Sequence, residues 1–275
     1  MATFETDSCE TLHDLRLLID NYFTHYNGYI FRGQGDAEWR LESSLTRTIR
    51  ATYPKANQTE INQYVLEHLN VFKHNIRGRC ALNLNSTPED TIWALGQHFG
   101  LHTPMLDWSR SPYVALFFSL TGACSSGRRA LWAILESDIE NFWPEENYKN
   151  KIPKSRTRTV YPPNHNNQQG IRIVHPLGHD NQRLVNQNGL FLNIPVGKAA
   201  DDLIKSAEEV EWVTMYKITY PDSIRNDLLA ALNNMNINHA SLFPDLTGSS
   251  LFANFQLKIQ PYLEAGRTKG FASKM

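Results

Sequence analysis

The sequence is poor in cysteine, has almost no net charge and lacks a long hydrophobic run. Its three cysteines, Cys9, Cys80 and Cys124, are widely spaced, which excludes a disulfide framework and favours a reducing cytoplasm. A net charge of -1 gives no overall attraction for nucleic acid or acidic membranes, although local binding stays open. The longest apolar run, at residues 114–120, is far too short to span a membrane, and residues 1–10 lack the pattern of a signal peptide. We therefore expect a soluble, cytoplasmic protein.

Several motifs of well-known enzyme classes are also absent. There is no Gly-x-Ser-x-Gly turn to present a hydrolase nucleophile, and no Walker loop to bind phosphates. His165, His175 and His179 do not have the spacing of metal ligands, so no metal site is predicted. A magnesium-dependent nuclease built on Asp107 is disfavoured, because acidic residues do not cluster near the main motifs.

The order of predicted helices and strands indicates the fold class. At 275 residues, with 41% hydrophobic and 20% charged residues, the chain has the composition of an ordinary globular protein. We expect an α+β fold, a single domain with a mixed central sheet of about five to seven strands flanked by helices. Hydrophobic periodicity predicts strands at residues 29–32, 129–136, 171–175, 189–194 and 212–220, and helices at residues 11–25, 60–79, 87–96, 113–120, 180–186, 221–235 and 247–256.

Four segments are expected to lie outside this regular core. Residues 1–27 form an N-terminal helical segment, and residues 40–46 form a loop over the end of the strand at 29–32. Residues 145–170, rich first in cations and then in Pro, Asn and Gln, are predicted to be a mobile insertion. Residues 265–275 are predicted to be a flexible tail.

The stretch from Gln97 to Leu120 carries the first candidate site. Ser111 is a suitable N-cap, and Pro112 falls at the first helical position, where a missing N–H costs nothing. The preceding residues 106–110 read as a polar and aromatic elbow aimed at the helix N-terminus, which is a natural anion site. The alternative interpretation is that Asp107 and Ser111 merely cap a core helix.

A second candidate site is the short strand that ends near Gly35. Gly33 and Gly35 flank Arg32 and Gln34 and would let a ligand or another backbone come close. Arg32 facing a helix N-terminus would form a two-sided clamp for a diphosphate, which Gln34 could reinforce by hydrogen bonding. An equally good interpretation is a buried ion pair between Arg32 and Asp107.

Together these two stretches resemble the FRG domain family. Two further motifs downstream extend the resemblance over residues 28–255. The matching residues are Phe31-Arg32-Gly33, then His98-Phe99-Gly100-Leu101, then Thr103 with Leu106-Asp107-Trp108 and Ser111-Pro112, then Arg183, Gln187, Gly189 and Phe191, and finally Ser241-Leu242-Phe243-Pro244-Asp245-Leu246.

The same layout is similar to the ADP-ribosyltransferase fold. That resemblance implies that Arg32 grips NAD and that Ser109 or Ser111 fills the role of the second element. Gln187 stands where a late carboxylate is expected, and glutamine cannot supply the negative charge that stabilises an oxocarbenium-like transition state. Glu136 is a candidate substitute, with only its spacing in favour.

Four other residues are candidates for the site. His98 is a candidate general acid–base, although a histidine there more often caps its own helix. Trp108 could stack on a nicotinamide or adenine ring, as could Trp39, although such aromatic residues more often belong to a core. Arg183 is a candidate nucleotide contact from the first of the downstream motifs.

The leading functional hypothesis is an NAD-dependent ADP-ribosyltransferase or NAD glycohydrolase that acts as an intracellular toxin or anti-phage effector. Its acceptor would be a protein or a nucleic acid, and a neutralising partner protein would fit such a role. The alternative is a non-catalytic module that binds a nucleotide, a nucleic acid or a protein. The missing late glutamate and the near-neutral charge motivate that alternative.

Overall fold

A mixed sheet forms the centre of the protein in a computed structural model that describes residues 3–25, 28–80, 82–142, 170–175, 182–206 and 214–272. Its strands are β1 (Thr3–Ser8), β2 (Tyr29–Gln34), β3 (Met105–Ser109), β4 (Arg128–Leu135), β5 (Arg172–Val174), β6 (Gly189–Asn193) and β7 (Thr214–Pro221). The seven strands lie in the order β1-β7-β4-β2-β3-β6-β5. Only β1 and β7 pair in parallel, and the other neighbours are antiparallel. The predicted α+β fold with five to seven strands is confirmed.

The helices cover the sheet and begin at residues suited to capping. Thr11 and Asn57 form capping boxes with Asp14 and Glu60, and Ser43 and Ser111 accept hydrogen bonds from the first turn of their own helices. The helices are α1 (Leu12–Phe23), α2 (Ser44–Thr52), α3 (Gln58–Asn75), α4 (Glu89–His98), α5 (Pro112–Thr121), α6 (Glu136–Phe142), α7 (Gln182–Asn186), α8 (Ala200–Lys205), α9 (Arg225–Asn234, after a 3-10 turn at Asp222–Ile224), α10 (His239–Leu242) and α11 (Leu246–Ala272). No helix of the described ranges is both long and apolar enough to cross a membrane.

Helix α5 packs directly on β2 because β2 carries a glycine at the contact. A Cβ atom on Gly33 would lie 1.9 Å from the carbonyl oxygen of Ala115 and 2.8 Å from the backbone nitrogen of Ser119. No side chain fits at that distance, so the glycine of the Phe-Arg-Gly sequence is required by packing. Leu116 and Phe117 of the same helix then complete the core on this side of the sheet.

The sheet is nearly split between β2 and β3. These two strands pair at one position, Phe31 with Ser109, whereas β2 and β4 pair at six positions from Tyr29 to Gln34. Beyond the Phe31–Ser109 pair, the end of β2 and the start of β3 diverge. The divergence opens the middle of the sheet at the end of β2, where the Phe-Arg-Gly sequence lies.

Several predicted boundaries were wrong. Residues 3–8, expected to be helical, form edge strand β1, and residues 106–110, expected to be an elbow, lie mostly in β3. The loop predicted at residues 40–46 ends in the first turn of α2. The predicted strand at residues 129–136 stops at Leu135, so Glu136 begins α6 instead.

At the C-terminus the structure again differs from the prediction. Helix α11 continues to Ala272, although the sequence predicted a tail from residue 265. Of the predicted insertion at residues 145–170, all but residue 170 falls outside the described residues.

Candidate functional site

The divergence of β2 and β3 opens a cavity of about 770 Å³. Its walls come from the end of β2 and the loop after it, from α2, from β3, from one side of α5, and from α7 and β6. Its volume falls within the range of roughly 300–1,000 Å³ that is typical of small-molecule sites. The lining residues with ionisable, amide or hydroxyl side chains are Arg32, Gln34, Glu38, Arg40, Glu42, Arg47, Asp107, Ser109, Thr121, Arg183 and Gln187.

Arg32 spans the gap between the diverging strands. Its Nη1 donates to the backbone carbonyl of Asp107 at 2.6 Å, and its Nε is buried without a hydrogen-bond partner. Burial lowers the pKa of Arg32, the charge of Asp107 opposes that shift, and the charge of Arg47 adds to it. Arg32 is therefore a cation in the cavity wall with unused hydrogen-bonding capacity.

The Asp107 carboxylate has a different partner. Its Oδ1 accepts from Nε2 of Gln97 at 2.8 Å, and Oε1 of Gln97 accepts from the hydroxyl of Thr103. The alternative of an Arg32–Asp107 ion pair is therefore not what the structure shows, since the two residues meet through a backbone carbonyl. Asp107 lines the cavity and links it to the end of α4.

The two serines predicted at this site have different positions. Ser109 lines the cavity, donates to the backbone carbonyl of Gln187 at 2.7 Å, and accepts from the backbone N–H of Ser111 at 3.0 Å. Ser111 does not line the cavity, and its hydroxyl accepts from the backbone N–H of Val114 at 3.3 Å. Capping of α5 is thus the role that the structure gives Ser111.

Gln34, Trp108 and Trp39 line the cavity with Arg32 and differ in their exposure and hydrogen bonding. Gln34 donates to the carbonyl of Arg40 at 3.1 Å and accepts from the indole N–H of Trp132 at 2.7 Å, so the nitrogen and the oxygen of its amide are each bonded to protein. Trp108 is only 3% exposed, and its indole N–H has no hydrogen-bond partner. Trp39, by contrast, lines the cavity with 48% of its surface exposed.

A family comparison bears on this arrangement. Residues 27–127 match the family model of the FRG domain, a range that includes β2, α2, β3 and α5. The chain contains an FRG domain. No curated protein and no solved structure matches the chain. The FRG domain contributes Arg32, Arg47 and Asp107 to the cavity, while Arg183 and Gln187 come from the chain that follows the matched range.

The two downstream motifs recognised in the sequence, at residues 183–191 and 241–246, contact each other. The guanidinium of Arg183 lies 4.3 Å from the centre of the Phe243 ring, a cation–π contact. Asn186 donates to the carbonyl of Ser241 at 2.9 Å, and Gln187 donates to the carbonyl of Leu242 at 3.2 Å. These contacts join α7 to α10 and direct the amide nitrogen of Gln187 toward α10.

Two predicted catalytic residues of the chain lie outside the cavity. Glu136 accepts a bidentate hydrogen bond from Arg110, at 2.8 and 3.0 Å from Nη2, and its Oε1 is 3.3 Å from Nε2 of His175. His98 is exposed at the end of α4, with its ring centre 4.8 Å from that of Phe99. Neither residue is among those that line the cavity.

Sequence reasoning missed cavity residues that follow the Phe-Arg-Gly motif. Glu38, Arg40, Glu42 and Arg47 all line the cavity and lie in or beside the segment predicted to be a loop. The signal was present, because Ser43 is a suitable N-cap and apolar Leu45 and Ile49 follow with helical spacing. A helix predicted there would have placed Arg47 on a rigid element near Arg32.

Proposed function

We propose that the FRG domain binds NAD in this cavity and cleaves it, as an ADP-ribosyltransferase or an NAD glycohydrolase. The observation that carries the proposal is Arg32, a half-buried arginine in the wall of a nucleotide-sized cavity, whose buried Nε has no hydrogen-bond partner. An arginine with donors that the protein does not use is well suited to a phosphate, because guanidinium and phosphate match in charge and geometry.

The other lining residues fit a dinucleotide. The exposed indole of Trp39 offers a flat surface on which a base or the nicotinamide ring can stack. Gly35 lets this part of the wall pack against the chain after α5, since a Cβ there would lie 2.6 Å from the carbonyl oxygen of Ala123. The cavity thus combines cationic groups for a diphosphate with an aromatic surface for a ring.

Cleavage of NAD calls for a carboxylate near the ribose. The bond between ribose C1′ and the nicotinamide nitrogen breaks, nicotinamide leaves with the bonding electron pair, and an acceptor or water attacks C1′ and loses a proton. A negative charge stabilises the oxocarbenium-like transition state. Glu38 is the candidate, because it lines the cavity and its carboxylate has no hydrogen bond or ion pair with the described residues.

The second candidate function is a nucleotide-binding module without catalysis. This second function is favoured because both residues that the sequence offered for the late acidic position are bonded to other protein groups. Gln187 is 8% exposed and bonded to Leu242, and Glu136 is bonded to Arg110 away from the cavity. On this reading the cavity binds the diphosphate and the chain transmits that binding to a partner protein or nucleic acid.

The deciding experiment measures nicotinamide release from NAD with cell lysate as acceptor, alongside calorimetric binding of NAD. The variants are Arg32→Gln, Glu38→Gln and the control Arg79→Gln, an exposed arginine outside the cavity. We expect release by wild type and by Arg79→Gln, weakened binding and no detectable release in Arg32→Gln, and binding without release in Glu38→Gln. Binding without release by wild type would establish the non-catalytic module, and no binding would overturn both.

A further inference from the structure

Ion pairing divides the arginines of the cavity into two groups. Arg40 is neutralised, because it pairs with the carboxylate of Asp202 and lies 3.6 Å from that of Glu42. Arg47 instead donates its Nη1 to the backbone carbonyl of Glu42 at 2.6 Å. Within the described ranges, neither Arg32 nor Arg47 has a carboxylate oxygen within 4.0 Å of its guanidinium nitrogens.

Glu42 is the acid nearest to Arg47 in the sequence, and its carboxylate is already committed. The Glu42 carboxylate accepts from Nη1 of Arg50, and Nη2 of Arg50 also donates to the carbonyl of Gly197 at 2.7 Å. Arg50 thereby ties the last turn of α2 to the loop after β6. The pairing satisfies Glu42 and leaves the positive charge of Arg47 uncompensated.

Arg47 is also presented from a rigid element. Helix α2 is capped by Ser43, whose hydroxyl accepts from the backbone N–H of Thr46, and it is anchored by buried Leu45 and Ile49. Arg47 itself is exposed and lines the same cavity as Arg32. The carbonyl of Glu42 orients one end of its guanidinium and leaves the other donors available to a ligand.

The two arginines influence each other electrostatically. Burial lowers the pKa of Arg32, and the positive charge of Arg47 lowers it further. Two like charges that face one cavity repel, and a bound anion would replace that repulsion with attraction. Arg183 is less suited to this task, because its guanidinium is stacked on the ring of Phe243.

We infer that Arg47 is the second arginine of a phosphate subsite, so that the diphosphate of the bound nucleotide lies between Arg32 on β2 and Arg47 on α2. This inference rests on the proposed function for the identity of the nucleotide. Its chemical content is a ligand with at least two negative charges, held from opposite sides by guanidinium groups.

The test is calorimetric titration with ADP-ribose, which retains the diphosphate of NAD, and with adenosine, which has no phosphate. The variants are Arg47→Gln, Arg47→Lys, Arg32→Gln, the double variant Arg32→Gln/Arg47→Gln, and the control Arg79→Gln. We expect Arg47→Gln to weaken ADP-ribose binding about tenfold or more and Arg47→Lys to weaken it less, because lysine keeps the charge but loses the planar donors. Adenosine binding should be the same in wild type and Arg47→Gln.

The double variant tests whether Arg32 and Arg47 contact the same diphosphate or only add separately to the positive potential of the cavity. If both arginines hold one diphosphate, their losses will not add, because the first substitution already displaces the group that the second would bind. Loss of binding in Arg32→Gln with full affinity in Arg47→Gln would overturn this inference and leave the proposed function standing. An equal loss of adenosine binding in Arg47→Gln would also overturn it, and a wild type that binds no ADP-ribose would overturn both.

Discussion

The guanidinium of Arg32 donates to the backbone carbonyl of Asp107 at 2.6 Å, while the Asp107 carboxylate accepts from Gln97 at 2.8 Å. The position of β3, rather than the charge of the aspartate, therefore holds Arg32 across the gap in the sheet. The aspartate side chain serves a second purpose, because Gln97 carries its hydrogen bond onward to Thr103. One residue thus links the strand, the cavity arginine and the end of α4.

Substitution of Asp107 tests whether its backbone carbonyl and its carboxylate have these two separate roles. Asp107→Asn keeps the carbonyl for Arg32 and an oxygen for Gln97, so we expect an unchanged fold and an affinity for ADP-ribose at least equal to that of wild type. Asp107→Ala removes the acceptor of Gln97 and should cost about 1 kcal/mol of unfolding free energy. Denaturant unfolding and calorimetry measure the two effects. A large loss of affinity in Asp107→Asn would instead show that the carboxylate contacts the ligand.

Gly33 gives a prediction about packing. We expect Gly33→Ala to destabilise the protein by about 3 kcal/mol or more, because the added methyl group would overlap the backbone of α5 and the strand cannot move without opening the core. Its matched control is Gly122→Ala, where the nearest atom to the added Cβ is the Gly35 Cα at 3.7 Å and φ is -86°. Urea unfolding of both variants checks the difference, and similar stabilities would refute the packing argument.

The structure explains why parts of the fold could be predicted from the sequence. Strand β4 and helix α5 carry their own signals, a continuous apolar run in one and a Ser-Pro start in the other. Strand β1 could not be predicted in this way. Its sequence is polar, and its extended form depends on parallel pairing with β7, more than 200 residues away in the chain, as at Thr3 with Thr214.

The candidate site was predictable only in part for a related reason. The nearby glycines Gly33 and Gly35 marked Arg32 as a candidate, since glycine allows a close approach of another group. Strand β3 owes its form to pairing with β6 at all five of its positions, from Met105 to Ser109, although a charged residue lies at its centre. The significance of Arg47 depends on which arginine Glu42 pairs with, and that choice is made only in three dimensions.

The sequence places Gln187 where a catalytic carboxylate is expected, and the structure predicts what happens when an acid is restored there. Restoring an acid with Gln187→Glu should not create or raise NAD cleavage, because the side chain donates to the carbonyl of Leu242 in a buried contact. A carboxylate there cannot donate and would face a carbonyl oxygen, so we expect a loss of about 1–3 kcal/mol of unfolding free energy. Gln182→Glu, at an exposed position in the preceding helix α7, is the control and should be nearly neutral. Faster nicotinamide release by Gln187→Glu would contradict this account.

His239 gives the protein a predicted sensitivity to acid. It begins α10, its Nδ1 is buried without a hydrogen-bond partner, and its ring centre lies 4.9 Å from that of Phe117 and 6.0 Å from that of Phe255. Burial lowers the pKa of His239 below its ordinary value of 6.5. The unfolded chain therefore binds a proton at a higher pH than the folded chain does, and unfolding is favoured as the pH falls.

The consequence is a loss of stability that is absent above pH 6.5 and grows as the pH falls through the lowered pKa of His239. We expect His239→Phe, which cannot take up a proton, to flatten the fall in unfolding free energy between about pH 7 and pH 5. His13→Gln, at an exposed position in α1, should leave the wild-type pH dependence in place. Urea unfolding across this pH range measures the slopes. Equal slopes in wild type and His239→Phe would mean that the packing of α10 against Phe117 tolerates the charged ring, and that acid sensitivity has another origin.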